Sequence, residues 1–177
     1  QSFNLLRQAG QCGIIVPSSI YTDLGAKQLR EMLFSQANLK TLFGLSNERF
    51  IFEGVDHRFK ICIMTFAKGS QTKTFEAAFR INPREAVPSE HLDRFLNSAS
   101  EHIEIPVPLV RRLSPDSLSV MEFKSDVDIQ IAEKVLRSPL LGEKIADKWN
   151  IAFRQELNMT SDSHLFHNEP APGRLPL

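Results

Sequence analysis

The most constraining stretch of the sequence is an apolar run at residues 59–67, which reads FKICIMTFA. A strand that faces water on one side alternates apolar and polar side chains, whereas this run has hardly any polar break. Such a run is typical of a strand buried on both faces of a sheet. Other elements must therefore cover both faces, and 177 residues of which 42% are hydrophobic suffice for one domain with a sizeable core.

Two further apolar runs predict a parallel pair of strands. The segment GIIV at residues 13–16 is short and wholly apolar, and Pro17 ends it. Apolar residues then recur at helical spacing over 24–36, and LKTLFGL at 39–45 predicts a second strand. A strand, a helix and a strand in this order form a βαβ unit, so the two strands should run parallel.

The pattern changes after Pro83. Before it, residues 74–81 alternate apolar and polar side chains, which predicts a strand wet on one side and, after the βαβ unit, a series of hairpins. Beyond it, Ser89 and Ser125 are placed to cap helices, and the prolines of IEIPVPLV exclude a central strand. WNIAFRQEL, at 149–157, predicts a further strand. The sequence thus predicts an α/β sheet that is partly parallel, followed by a mostly helical connector.

These changes predict three regions. Residues 1–83 hold the sheet, residues 84–148 form the helical connector, and residues 149–177 begin another region. The chain has no initiator Met and stops in a segment rich in Pro and Gly, so we expect a piece of a longer protein.

Charge and cysteine usage exclude few classes of function. Formal net charge is zero, but residues 56–84 carry six basic side chains against two acidic ones, whereas residues 114–147 carry seven acidic against four basic. The basic region is either a surface for nucleic acid or an ordinary solvated sheet edge. Cys12 and Cys62 lie in strand-like runs without a CxxC pair, which favours reduced core residues and the cytoplasm. No membrane span or signal peptide is predicted.

The familiar catalytic motifs are absent from the 177 residues. There is no G-x-G-x-x-G, no Walker A sequence and no G-x-S-x-G, and the histidines lack the HExxH spacing of a zinc site. We therefore expect no metal site and no catalytic residue in this chain.

The aromatic pair before the apolar run stands at a meaningful place. In open α/β sheets ligands bind outside the carboxyl ends of the parallel strands. Pro17 and the loop 46–58 should both emerge there, which places Phe50 and Phe52 beside any pocket at this edge. Aromatic rings in such a loop either stack on a planar ligand or cap the core beneath it. For Phe50 we expect the cap, and for Phe52 both roles stay open.

The chain resembles a known family over nearly its whole length. QAGQCGIIVPSSIYTD, LREMLFSQANLKTLFGLSNE and FEGVDHRFKICIMTFAKG are similar to the second half of the catalytic domain in N6-adenine DNA methyltransferases, specifically large type II restriction–modification enzymes. WNIAFRQELNMTSDSHLF resembles the segment that joins methylase and target recognition in those enzymes.

The resemblance implies a Rossmann-like class I methyltransferase sheet that ends in a hairpin inserted antiparallel between its neighbours. It also implies that the complete protein transfers a methyl group from S-adenosylmethionine to a flipped adenine in double-stranded DNA. Phe52 matches the aromatic residue that holds the flipped base, and Pro17 is expected beside it. Arg58, Lys60 and Lys68 are expected to be the basic residues closest to the DNA side and to contact phosphates there. For Lys60 the alternative is that it only begins the strand with its charge exposed.

The family's glycine-rich cofactor motif and its Asn/Asp-Pro-Pro-Tyr/Phe motif are both missing from the sequence. The chain alone is therefore expected to be inactive and to depend on an upstream methylase half and a downstream recognition domain. The alternatives are a non-catalytic spacer between methylase and recognition domains, a methylase-only phage-defence protein, and an RNA methyltransferase.

Overall fold

The computed structural model of the protein describes residues 2–151 and 156–166. Within these residues the fold is a mixed α/β structure with one open sheet of five strands. The strands are β1 (Gln11–Pro17), β2 (Ala37–Ser46), β3 (Lys60–Lys68), β4 (Thr74–Arg80) and β5 (Ile103–Pro106).

The strand order in the sheet is β1-β3-β2-β4-β5. β3 lies between β1 and β2 and is antiparallel to both, so β1 and β2 run in the same direction with β3 between them. β4 is parallel to β2, and β5 closes the sheet as a short antiparallel edge strand. The partly parallel α/β sheet, the parallel direction of the first two strands and the inserted apolar strand are therefore confirmed.

One predicted pairing is wrong. The period-2 run at residues 74–81 was expected to form a hairpin with the strand before it, but β4 pairs with β2 instead. β3 pairs with one edge of β2 and leaves the other edge free. The turn after Lys68 carries the chain past β2 to that free edge. A parallel pairing with a strand earlier in the chain leaves no local sequence signal, because the alternation of a strand does not record its partner.

Helices and 3₁₀ turns accompany the sheet. Along the described residues the α-helices are α1 (Ser2–Leu5), α2 (Ser19–Thr22), α3 (Lys27–Gln36), α4 (Leu92–Asn97), α5 (Val107–Leu113) and α6 (Asp126–Val135). Ser125 caps α6 in a capping box with Asp128, as its position in the sequence predicted. The predicted helix at 24–36 begins with a 3₁₀ turn, Leu24–Ala26, before α3.

The core lies on both faces of the sheet, which explains the unbroken apolar run of β3. One face is packed with a large cluster that includes Tyr21, Phe34 and Phe79, and the other with a smaller one around Phe43 and Phe95. Gly44 of β2 permits the closest approach in this core: a Cβ there would lie 2.7 Å from Tyr21 Oη and 2.9 Å from Phe79 Cδ1.

The chain divides into two compact units, Gln1–Ser138 and Pro139–Leu177. The sheet continues past the predicted boundary at residue 83, because β5 belongs to the predicted connector and pairs with β4. In the second unit the described residues form turns, a bridge between Ile145 and Trp149, and a 3₁₀ turn at Ser163–Leu165. The strand predicted at 149–157 falls largely on residues 152–155, which lie outside the described residues. No described helix is both long and apolar enough to cross a membrane.

Candidate functional site

Four strand ends meet at one edge of the sheet, which we name the carboxyl edge. β1 ends there at Pro17 and β2 at Ser46, opposite the beginning of β3 at Lys60. β4 ends at the same edge with Arg80. Since neighbouring strands lie about 4.8 Å apart, the ends of β1 and β2 are separated by about 10 Å. The carboxyl edge is where open α/β sheets bind their ligands.

The loop between β2 and β3, residues 47–59, is held in shape by Asn47. This side chain is wholly buried. Its Nδ2 donates to the carbonyl oxygens of Phe52 at 3.0 Å and Val55 at 2.8 Å, and its Oδ1 accepts from the Phe52 N–H at 2.9 Å. The amide thus hydrogen-bonds three backbone groups of the loop, of which the Phe52 carbonyl also accepts from the Val55 N–H at 3.1 Å.

Sequence reasoning missed Asn47. Its only signal is a polar amide directly after a buried strand and before a loop of more than ten residues. Asn in such a position commonly hydrogen-bonds nearby backbone, but which groups it reaches depends on how the loop folds back.

Phe52 is partly buried and packs against the smaller core cluster, which includes the strand residues Phe43, Leu45 and Ile61. Pro17 lies at the same edge of the sheet but lines a different space, a cavity of about 440 Å³ bounded on one side by Asp23 and Leu29. The structure therefore places both predicted base-contacting residues at the carboxyl edge without joining them in one pocket. The stacking role of Phe52 stays a prediction.

Phe50 does not cap the core, and the expectation that it would is wrong. Its side chain is 52% exposed. The backbone of Phe50 has φ of 50°, in the left-handed region that residues other than glycine seldom occupy. Its ring centroid lies 6.3 Å from that of His57. The left-handed conformation turns the chain at Phe50, so the ring leaves the core that Phe52 joins two residues later.

Arg58 and Lys60 lie at the carboxyl edge. The guanidinium of Arg58 donates to both carboxylate oxygens of Asp56, at 3.1 Å and 2.9 Å. This hydrogen bond holds the pKa of Asp56 below its usual range. The pair is exposed, so it contributes little to stability and leaves Arg58 able to exchange Asp56 for another anion.

Lys68 does not share this edge. β3 is nine residues long, so its two ends lie about 27 Å apart. At the far end, Lys68 Nζ donates to the Leu6 carbonyl at 2.9 Å and lies 4.9 Å from the centroid of the Phe3 ring. The prediction that Arg58, Lys60 and Lys68 adjoin the same side is therefore wrong for Lys68.

A cavity of about 530 Å³ opens at the carboxyl edge between the ends of β2 and β4. Arg58, Lys60 and Lys124 line it, together with Ser46, Glu48, Ile81, Asn82 and Pro83. Lys124 comes from the acidic part of the sequence and pairs with Glu85 at 2.7 Å. Its arrival at this edge had no local signal, because the fold of residues 114–124 decides it.

The carboxyl edge does not by itself fit a complete cofactor site. No group of His, Cys, Asp and Glu among the described residues could hold a metal ion. The cavity beside Pro17 and the cavity beside Lys60 are lined mainly by basic, small polar and aliphatic side chains, whereas a sulfonium cation is best stabilised by carboxylates and aromatic faces. We therefore derive no chemical step through S-adenosylmethionine from these residues. Burial raises the pKa of Cys62 to about 12, which keeps this thiol protonated and inert.

Comparison with known proteins supports the fold. No protein-family model matches the chain, and no curated protein matches it. Among solved structures, the M protein of the type I restriction enzyme EcoKI is 16% identical with a TM-score of 0.51, and the match covers 76% of this chain and 40% of that protein.

Two other solved structures are similar at lower TM-scores. A chain from a structure of a type I restriction–modification system is 19% identical with a TM-score of 0.48, and the match covers 74% of this chain and 34% of that chain. The type IIG restriction endonuclease BpuSI is 20% identical with a TM-score of 0.47, covering 67% and 14%. The chain spans less than half the length of each of these proteins. The mixed α/β sheet of this chain is therefore similar in fold to part of the EcoKI M protein.

Proposed function

We propose that the chain is part of an adenine-specific DNA methyltransferase of a restriction–modification enzyme. The observation that carries this proposal is the apolar β3, antiparallel between two strands that run in the same direction. This insertion is what the resemblance to N6-adenine methyltransferases implied, and the fold likeness to the EcoKI M protein supports it. S-adenosylmethionine would supply the methyl group when bound to the complete protein, which we place in the cytoplasm.

In this proposal the carboxyl edge faces double-stranded DNA. Phe52 and Pro17 contact the adenine that is flipped out of the duplex, and the loop that Asn47 holds keeps Phe52 in place. Arg58 and Lys60 contact phosphates beside the target. Lys68 is left out, because its ammonium group lies at the opposite end of β3.

In this proposal each of the three regions predicted from the sequence has its own role in the complete enzyme. Residues 1–83 form the later part of the methylase, residues 84–148 connect it to target recognition, and residues 149–177 begin the recognition region. β5 lies within the connector and extends the methylase sheet. The connector would thereby be fixed to the methylase part through backbone hydrogen bonds.

A non-catalytic spacer between methylase and recognition domains is the second candidate. The packing of Phe52 against the smaller core cluster favours it, because a ring needed by the core is less free to hold a base. In a spacer, Phe52 would act only through stability, and its removal would lower methylation no more than it lowers the folded fraction.

The test is methyl transfer from labelled S-adenosylmethionine to DNA and to RNA by the complete polypeptide that carries this chain. We expect labelled N6-methyladenine in DNA and its position to define the recognition sequence. Phe52→Ala should lower the rate per folded molecule about tenfold or more, since one base–aromatic stack is worth roughly 1–3 kcal/mol. Phe59→Ala is the matched control, because Phe59 is 57% exposed in the same loop.

Three results would contradict this proposal. Methylated RNA with unlabelled DNA would favour an RNA methyltransferase, and no methyl transfer to either would leave the spacer. Methylation by Phe52→Ala at the rate of Phe59→Ala would remove the stacking role.

Arg58→Ala and Lys60→Ala should each reduce the dependence of DNA affinity on salt, by about one ion for each lost phosphate contact.

A further inference from the structure

Phe50 stands at the carboxyl edge with its ring open to water. The chain contains thirteen phenylalanines, and those in the sheet, such as Phe43, Phe66 and Phe79, are buried. A single exposed apolar side chain is ordinary on a protein surface. Phe50 differs because its backbone adopts a conformation that is costly for a phenylalanine.

The surrounding loop fixes that conformation. The Phe50 N–H donates to the Asn47 carbonyl at 2.8 Å, and the Asn47 side chain holds the backbone at Phe52 and Val55. Phe52 then anchors the following residues on the smaller core cluster. The ring of Phe50 is therefore presented from a pre-organised turn, which reduces the entropy lost when a planar ligand stacks on it.

The position of the ring indicates what it can stack on. Neither Phe50 nor Phe52 lines the two cavities described at the carboxyl edge, but Phe50 is 52% exposed whereas Phe52 packs against the smaller core cluster. An extruded base is enclosed against the protein, so the exposed ring of Phe50 is better placed against the duplex from which the base has left. Lys60 begins β3 and Arg58 lies two residues before it in the loop, so both can contact the phosphate backbone next to Phe50.

We propose that Phe50 stacks on the base that loses its partner when the target nucleotide is flipped out. Flipping leaves one base unpaired and a gap in the stack, and an apolar ring inserted there recovers part of the lost stacking. This inference rests on the proposed DNA methyltransferase function. It gives Phe50 a different partner from Phe52: Phe52 contacts the target base, and Phe50 contacts the base opposite it.

The test is a double-mutant cycle on DNA binding by the complete polypeptide. The probes are three duplexes that carry the mapped methylation sequence: one intact, one abasic at the partner of the target, and one abasic at the target itself. Phe50→Ala should bind the intact duplex about tenfold more weakly than the wild type. On the duplex abasic at the partner base, the two proteins should bind equally. On the duplex abasic at the target, the tenfold difference should persist.

Two variants separate stacking from folding. Phe50→Asn removes the ring and places a residue that tolerates the left-handed region, so it should fold at least as well as Phe50→Ala and show the same cycle. Phe50→Trp keeps an aromatic face and should bind all three duplexes as the wild type does. Phe59→Ala is the control for loss of an exposed ring from the same loop.

The inference is overturned if Phe50→Ala and Phe50→Asn bind the intact duplex like the wild type, or if the difference vanishes on the duplex abasic at the target instead. A wild-type protein that methylates adenine while Phe50 variants show no coupling contradicts this inference alone. A wild-type protein that methylates no DNA contradicts the proposed function and the inference with it.

Discussion

Arg30 and Asn47 are buried polar side chains that each hydrogen-bond three backbone groups. Arg30 connects distant segments of the chain, whereas Asn47 shapes one loop. The Arg30 guanidinium donates to the carbonyls of Ile20 at 2.6 Å, Asp23 at 2.6 Å and Ser117 at 2.7 Å. It joins the segment after β1 to the segment before α6. Asn47 holds only its own loop, between residues 47 and 55.

The difference lies in how far apart in sequence the bonded groups are. Arg30 and Ser117 are 87 residues apart, whereas Asn47 and Val55 are 8 apart. Tyr21 strengthens the long-range connection, since its hydroxyl donates to Glu122 at 2.8 Å. A bond between distant segments stabilises the whole fold, because those segments separate only when the core opens. A bond within one loop chiefly sets the shape of that loop.

The largest effect is expected for Arg30→Met. Burial already lowers the pKa of Arg30, and its removal takes a charged donor away from three carbonyl groups, of which that of Asp23 still accepts from the Ala26 N–H. We expect the free energy of unfolding to fall by about 3 kcal/mol or more. Urea titration of the variant measures it. Arg112→Met, on the surface of α5, is the control. A loss for Arg30→Met no greater than the control's would show that the long-range connection adds nothing to the fold.

An intermediate effect is expected for Asn47→Ala. The loop loses three hydrogen bonds but remains close to solvent, so water can replace part of them. We expect a loss of about 1–2 kcal/mol in unfolding free energy, together with much faster hydrogen exchange at the Phe52 amide. The matched control is Asn97→Ala, whose amide donates to one carbonyl, that of Asp93.

The distinction between a fold-wide role for Arg30 and a local role for Asn47 would be contradicted if Asn47→Ala lowered the free energy of unfolding as much as Arg30→Met does. The local role of Asn47 would be supported if the Asn47→Ala variant stayed folded and lost DNA binding. Hydrogen exchange confined to the loop would support the second outcome.

The smallest effect is expected for the exposed pair Glu31 and Arg111, which joins α3 to α5 at 2.6 Å. The hydrogen bond from Arg111 lowers the pKa of Glu31 from its ordinary value of 4.5. The stability that this pair adds is therefore present above about pH 4.5 and lost as the pH falls through the lowered pKa. Solvent screening limits the contribution to about 0.5 kcal/mol.

Thermal unfolding from pH 6 to pH 3 tests this pair. Glu31→Gln should be slightly less stable than the wild type at pH 6, and the two should converge at low pH. Glu133→Gln, an exposed substitution on α6, should run parallel to the wild type throughout. A gap that widens as the pH falls would contradict the sign.

How much of the site the sequence could predict depends on the range of the interaction. The placement of Pro17 and of the loop at one edge followed from the βαβ order alone, because a crossover helix makes the two strands parallel. Asn47 was missed, since an amide after a strand is compatible with many loops. Phe50 was wrongly assigned to the core, while both roles stayed open for Phe52. Two rings spaced by two residues share a face only if the backbone between them is extended. A left-handed residue breaks that rule.

The sequence by itself determined strands β1 to β4, the capped helix α6 and the burial of β3, because each depends on a local period or cap that neighbouring residues carry. Tertiary structure alone decided that β4 pairs with β2, that Lys124 lies at the carboxyl edge and that Lys68 lies at the opposite edge of the sheet. These outcomes depend on which distant segments meet, and a chain records them only in the summed packing of the core. Lys60 and Lys68 are the first and last residues of β3, so they lie at opposite edges of the sheet although both belong to the same basic region of the sequence.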